Sequence, residues 1–319
     1  MDVLSPERTW VKHAFPAMGT KVSMTLASHT SATKACEGVE RMFERVERSC
    51  SRFDNASDLM RANTRPDEPH VVAPECLEIV AAALDAHRRS SGLFDPRILS
   101  ELVTAGYDRS FDQMPRRGGG DRITPRHGGR GSWRPEIDPA AGSITIGQDP
   151  IDLGGIGKGW AVDAAAQMLS KVASSFMVNA GGDLVVMGDG PSGAEWTVAI
   201  EEPRDSTLTI AVLSLRDVAC TTSSTGRRRW QVGSEHRHHL IDPRTGRPAA
   251  GGLQSVTVVH GSTVVAETWS KSLLIAGADE FGGLCAQHGI AALAVLDDGS
   301  LWSSAQMQPL VIWQRVPHG

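Results

Sequence analysis

The chain has 319 residues, with 32 Lys and Arg against 37 Asp and Glu, a net charge of −5 with histidine neutral. Apolar residues make up 40% and charged residues 22%, which excludes wholesale disorder and allows a sizeable buried core. The mildly acidic balance provides no broad footprint for nucleic acid or an anionic membrane surface, and no stretch reaches the ~18 uninterrupted apolar residues of a membrane span.

Residues 1–20 contain Asp2, Glu7, Arg8 and Lys12 and no apolar run long enough for a signal-peptide core, so a cytoplasmic location is expected. Residues 21–28 alternate Val22, Met24 and Leu26 with polar partners, the pattern of a strand with one buried face. Over 31–50, Ala35, Val39, Met42, Phe43 and Val46 recur at helical spacing. A second helix is expected over 74–90. Pro74 suits its first turn, Leu77, Val80, Ala81 and Leu84 form its stripe, and Gly92 can close it. Cys36, Cys50, Cys76, Cys220 and Cys285 are widely spread without a C-x-x-C pair, so buried free thiols are expected.

Residues 111–136 are rich in Gly and Arg, with Pro115, Pro125 and Pro135. This composition predicts a mobile insertion over 112–136 that adds nothing to a core. The strand expected at 143–146 needs neighbours, so the flanks belong to one 1–319 unit. Gly154-Gly155-Ile156-Gly157-Lys158-Gly159 then reads as a Gly-rich loop leading into a helix with Val162, Ala165, Met168, Leu169 and Val172 inward. Short strands are expected at 176–178, 184–187, 196–200, 208–215, 238–241 and 253–259, helices at 262–276 and 279–288, and strands near Leu293 and Leu310. Runs of strands with helices grouped between them predict an α+β fold.

Four segments hold candidate chemistry. The Gly154–Gly159 run could bring backbone N–H groups and the Lys158 ammonium to a phosphate, although the P-loop spacing fails at Gly159. The paired glycines of Asn179-Ala180-Gly181-Gly182-Asp183 mark either a tight turn or a close approach to a ligand. In His236-Arg237-His238-His239, a strand would turn two histidines one way and the third the other, which favours a lone orienting or catalytic His239 over a metal site. Glu267 and Lys271 stand at i and i+4 on a helix, by themselves an ion pair.

In chain order, Met18-Gly19-Thr20, Ser51-Arg52-Phe53 with Ser57-Asp58-Leu59 and Asn63, Gly92-Leu93-Phe94-Asp95-Pro96, the Ile151–Gly159 run with Asp163, Asn179–Asp183, Thr222-Ser223, His239–Gly246 and Ala266–Ser272 together resemble the FAD:protein FMN transferase family, the ApbE-like flavin transferases. The resemblance implies two interleaved subdomains of mostly antiparallel sheet with flanking helices around a T-fold-like core, FAD lying between them. It implies a magnesium-dependent transfer of FMN from FAD to a Thr or Ser hydroxyl of an acceptor flavoprotein, with release of AMP. By motif position, Phe53 stacks on the adenine, and Met18, Asp95, Gly155, Lys158, Asp163, Gly181, Gly182, Asp183, Thr222 and Ser223 belong to the FAD pocket. His239 is the base or phosphate-orienting group, with Asp242 beside it on the catalytic side. The metal positions are the Gly157 carbonyl, Glu267 and Lys271. The sequence departs from the family at the last two, where an aspartate and a threonine are usual. An ammonium cannot ligate Mg²⁺. Lys271 either supplies the charge a metal would provide or pairs with Glu267, and the alternatives of an FAD pyrophosphatase and a non-catalytic FAD-binding protein stay open.

Overall fold

The computed structural model describes residues 9–27, 32–114, 117–118 and 130–315. Eight strands form the main sheet: β1 (Trp10–Ala17), β2 (Thr20–Ala27), β3 (Phe176–Ala180), β4 (Asp183–Met187), β5 (Val218–Ser224), β6 (Leu253–His260), β7 (Ala291–Leu296) and β8 (Leu301–Ser303). They lie side by side in chain order, every neighbour antiparallel. The helices are α1 (Ala32–Cys50), α2 (Asp58–Thr64), α3 (Pro74–Arg89), α4 (Leu99–Thr104), α5 (Gly157–Leu169), α6 (Thr263–Ala276) and α7 (Ala278–His288). The α+β expectation therefore holds. Among the described residues no helix is long and apolar enough to cross a membrane.

The periodic apolar positions explain the layers. Cys36, Val39, Met42, Phe43 and Val46 of α1 are buried together with Val162, Ala165 and Leu169 of α5 and with Val22, Met24 and Leu26 of β2. Val256 and Val258 of β6 meet Ala266, Leu273 and Leu274 of α6 in a second core. On the opposite side, Trp196–Glu201, Thr209–Leu215 and Val311–Gln314 form a smaller antiparallel sheet, with Ile210 and Leu213 packed on Val186, Leu293 and Val295. A fourth cluster gathers Leu102, Tyr107, Trp230 and Ile241. The five cysteines are buried free thiols, as their spacing implied.

The structure corrects three expectations. The Gly- and Arg-rich segment does contribute to a core. Trp133 is buried in the first cluster and donates Nε1–H to the Ile146 carbonyl at 2.9 Å, because a lone indole in a polar run still removes a large apolar area from water. Phe111–Gln113 is a short 3₁₀ turn, and Arg117–Gly118 pairs with the strand Arg229–Val232; residues 115–116 and 119–129 of the expected insertion lie outside the described residues. The strand expected over 238–241 is broken. The backbone N–H of Leu240 bonds the His238 Nδ1 at 3.3 Å, so Glu235–His238 and Ile241–Asp242 are separate strands with His239 in the gap. Finally, the glycine run does not end before its helix, since Gly157, Lys158 and Gly159 are the first turn of α5.

Candidate active site

Two hairpin tips and two helices define one end of the main sheet. Residues Met18 and Gly19, with φ of 52° and 67°, turn β1 into β2 between the paired Ala17 and Thr20. Positive φ at both central positions is the geometry of a twist-matched two-residue hairpin, and it is costly for Met. Gly181 and Gly182 turn β3 into β4 in the same manner, between Ala180 and Asp183. Because β2 pairs with β3, Val22 opposite Ala180, the two tips are neighbours. Asn63 from α2 clamps the chain entering the glycine run, accepting from the Ile151 N–H at 2.8 Å and donating to its carbonyl at 2.9 Å.

Helices α5 and α6 meet closely at Gly159. A Cβ there would lie 2.6 Å from Glu267 Oε2 and 3.1 Å from the Thr263 carbonyl, so only glycine permits the approach. Asp163, one turn further on, accepts from the Ser262 hydroxyl at 2.7 Å and from the N–H groups of Thr263 at 2.7 Å and Val264 at 3.1 Å. It thus caps the N-terminus of α6 with a negative charge, where the helix dipole favours one.

The approach builds a buried four-charge cluster. Lys158 Nζ donates to Asp183 and, at 2.9 Å, to Glu267 Oε1; Lys271 Nζ donates to the same Oε1 at 2.9 Å; Gly159 N–H donates to Oε2 at 2.8 Å. Glu267 is fully buried. Burial alone would raise its carboxyl, but the Lys158 and Lys271 ammoniums overcome this and hold it below the ordinary value. Burial opposes the charge on Lys158 as well, yet Asp183 and Glu267 push its pKa up. Lys271 is the softer ammonium, lowered by burial against the attraction of Glu267 and further by the charge of Lys158.

A cavity of about 1010 Å³ opens beside this cluster, large for a small-molecule site. Of the residues singled out in the sequence, Met18, Phe53, Asp95, Gly155, Gly157, Lys158, His239 and Lys271 line it. The Met18 methyl lies over Gly157, 3.3 Å from where a Cβ would stand, and Gly155 meets Phe94 and the stem of Lys271. The Nδ1 of His239 is buried with no hydrogen-bond partner. Burial, reinforced by the charges of Arg228 and Lys271, pushes its pKa well below the usual histidine value, so the ring is neutral near pH 7 with a nitrogen free to take a proton.

Other expected residues stand away from the cavity wall or are committed elsewhere. Asp95 is saturated by Arg97, through its N–H at 2.9 Å, Nε at 3.0 Å and Nη2 at 2.8 Å. Asp242 is held by the Arg244 backbone N–H at 2.8 Å and its Nε at 3.0 Å. Both carboxylates therefore brace local loops. Gly181 presses on Thr20, with 2.2 Å from a Cβ to Oγ1, and Gly182 N–H bonds Asn179 Oδ1 at 2.8 Å. Thr222 is exposed and pairs with Thr257 at 2.9 Å, while Ser223 bonds Ser270 of α6 at 2.8 Å.

Sequence reasoning gave no role to Arg52, Tyr107 or Arg228, which also line the cavity. The Arg52 guanidinium lies 4.2 Å from the Phe53 ring centroid and 4.3 Å from that of Tyr107, and donates Nη1–H to the Tyr107 carbonyl at 2.8 Å. Its buried Nη2 has no partner. Phe53 stays 44% exposed at the rim, an apolar face open to a planar ligand. The run Arg227-Arg228-Arg229 was the available signal for Arg228.

A divalent cation does not fit the residues at Gly157, Glu267 and Lys271. Both Glu267 oxygens are taken, one by two ammoniums and one by the Gly159 N–H, and the third position presents a cation. Among the described residues no group of three or more His, Cys, Asp or Glu is arranged to hold a metal ion.

The ApbE family pattern matches residues 18–294. An FAD:protein FMN transferase of Klebsiella pneumoniae (strain 342) is 25% identical over 312 residues, 93% of this chain and 88% of the relative. One of Vibrio cholerae is 27% identical over 308 residues, 93% of this chain and 91% of the relative. The crystal structure of the ApbE protein of Thermotoga maritima superposes with a TM-score of 0.83 at 25% identity, covering 95% of this chain and 99% of that one. The flavin transferase ApbE of Vibrio cholerae, at 23% identity and a TM-score of 0.77, shares the fold over 95% of this chain and 99% of its own. With the match spanning both hairpin tips, the glycine run, the α5–α6 crossing and His239, this chain belongs to the ApbE family.

Proposed function

We propose that the protein is an FAD:protein FMN transferase that moves FMN from FAD to a Thr or Ser hydroxyl of an acceptor flavoprotein and releases AMP. The observation that carries this reading is the convergence, on one cavity, of a neutral His239, Lys158 from the first turn of α5 and Lys271 from the middle of α6. The isoalloxazine and adenine need room and flat apolar surface. The cavity volume and the exposed ring of Phe53 supply both. The pyrophosphate needs positive charge and directed N–H donors, which the side chains of Lys158, Lys271 and Arg228 on the cavity wall offer.

The acceptor hydroxyl oxygen attacks the phosphorus on the flavin side and loses its proton to the neutral imidazole of His239. The bond from that phosphorus to the bridging oxygen breaks, and its electron pair leaves with AMP. Lys158 and Lys271 offset the charge that builds on the phosphate oxygens. Asn63, Asp163 and Gly159 act earlier, by fixing the glycine run and the α5–α6 crossing that place both lysines.

Incubation with FAD and an acceptor flavoprotein, followed by denaturing electrophoresis under ultraviolet light and by intact-mass measurement, tests the reading. Flavin bound covalently to the acceptor, with AMP formed in equal amount, is expected. Free FMN and AMP without labelled acceptor would indicate a pyrophosphatase, and unchanged FAD a binding protein.

A further inference from the structure

Glu267 is where the two ammoniums meet. Lys158 is the second residue of α5 and Lys271 lies one turn after Glu267 on α6; both side chains are only 14% exposed, and both face the cavity. Neither is free to wander. Lys158 is tied to Asp183 and Glu267, and Lys271 to Glu267, while its stem packs on Gly155. Lys271 spends one of its three N–H donors on Glu267, which leaves two for another anion. A metal ion would have to displace both ammoniums from Glu267 to gain a single carboxylate oxygen, and the repulsion between Lys271 and a dication at close range opposes it. Positive charge for a phosphate is already present here in covalently attached form.

We propose that this protein holds the pyrophosphate of its dinucleotide on the ammoniums of Lys158 and Lys271 and needs no divalent cation to do so. The inference rests on the flavin-transfer reading of the same cavity and adds its ion requirement. Two ammoniums match the formal charge of one magnesium ion. They differ in offering directed N–H donors instead of open coordination positions. Glu267 and Asp183 keep the pair charged and oriented before the ligand arrives.

The test strips the purified protein with EDTA and titrates it with FAD by flavin fluorescence, in EDTA and again in excess MgCl₂. FMN transfer to an acceptor flavoprotein is followed under both conditions. FAD affinity and transfer rate in the native protein should differ by less than about twofold between them. Lys271→Thr should bind FAD about tenfold or more weakly in EDTA and recover most of the loss with magnesium. Lys271→Met removes the charge without supplying an oxygen, so it should lose as much and recover nothing. An increase of about tenfold or more in native FAD affinity on adding magnesium overturns the inference. Weak native binding in EDTA, or a folded Lys271→Met that binds FAD like the native protein, does so too. Tight binding in EDTA with no transfer under either condition refutes the transferase reading and leaves the ammonium site standing. The native arm involves no substitution and decides the matter even where a variant fails to fold.

Discussion

Glu267→Gln probes how the site is held, because the amide keeps the shape of the side chain and loses its charge. In either orientation the amide fails a partner. With its oxygen toward the lysines, its NH₂ meets the Gly159 N–H that Oε2 accepts at 2.8 Å; turned over, the NH₂ meets the ammoniums that Oε1 accepts at 2.9 Å. Removing one partner of a buried ion pair costs about 3–5 kcal/mol, because the other charge is left uncompensated. Here the lower end applies. Lys158 keeps Asp183, and Lys271 lines the cavity with its side chain 14% exposed, so its charge keeps some access to solvent. A loss of about 3 kcal/mol corresponds to a fall in Tm of roughly 6–12 °C for a large domain. Urea and thermal unfolding followed by tryptophan fluorescence, with eight indoles as probes, measure it. The same change frees positive charge toward the cavity, so saturating FAD should raise the Tm of the variant more than that of the native protein. A stability loss under about 1 kcal/mol would refute the view that this cluster joins α5 to α6. An FAD-induced shift smaller than the native one would refute the view that its lysines face the anion.

Phe53→Ala should weaken FAD by about 1–3 kcal/mol and leave FMN nearly unaffected, since only FAD brings a second ring to the rim; equal losses in calorimetric titrations would remove Phe53 from the adenine site. His239→Ala should lower turnover about 10²–10⁴-fold with FAD affinity little changed, and an unchanged rate would make the histidine structural. The neutral ring is the active form and its pKa is pushed below 6.5, so the native rate should hold through neutral pH and fall only as the pH drops well under that value; a rate already falling between pH 8 and 7 would contradict this. Gly159→Ala puts a methyl 2.6 Å from Glu267 Oε2, an overpacking that should cost about 1–3 kcal/mol by urea denaturation, whereas a neutral result would mean that the helices separate freely.

The helices were legible because the apolar stripe that buries each one recurs at helical spacing within the segment itself. Val39, Met42, Phe43 and Val46 announce α1 by spacing alone, and the core they enter is the one the spacing implies. Strand β5 was not legible, for the opposite reason. Its Thr221, Thr222, Ser223 and Ser224 have no apolar alternation, and three of them are buried only because α6 supplies Ser270, which bonds Thr221 at 3.3 Å and Ser223 at 2.8 Å, and β6 covers the rest. Arg52 stood in a recognised motif, but what fixes it is Tyr107, a residue 55 positions later. Trp133 lay hidden in a composition that by itself predicts no core. In each case the deciding contact joins segments that no local pattern connects.

The Glu267–Lys271 pair shows how far such long-range contacts can change a local reading. Four residues apart on a helix, opposite charges imply an exposed pair worth about 0.3–0.5 kcal/mol. The missing side chain at Gly159 turns it into something else, because α5 can then close on α6 until Glu267 has no exposure left. Once buried, Glu267 cannot stay charged on Lys271 alone, and Lys158, delivered by the same first turn of α5, completes its compensation. Lys158 in turn needs Asp183 from the β3–β4 tip. The charge that Lys271 shows the cavity is therefore set by a glycine, a lysine and an aspartate from two other elements. Asp163 belongs to the same construction without touching the cavity, since its cap on Ser262, Thr263 and Val264 fixes where along α5 the helix α6 begins. A motif shared across the family can thus hold residues that meet the ligand together with residues that only place them. Proximity to the cavity, more than presence in the motif, separates the two.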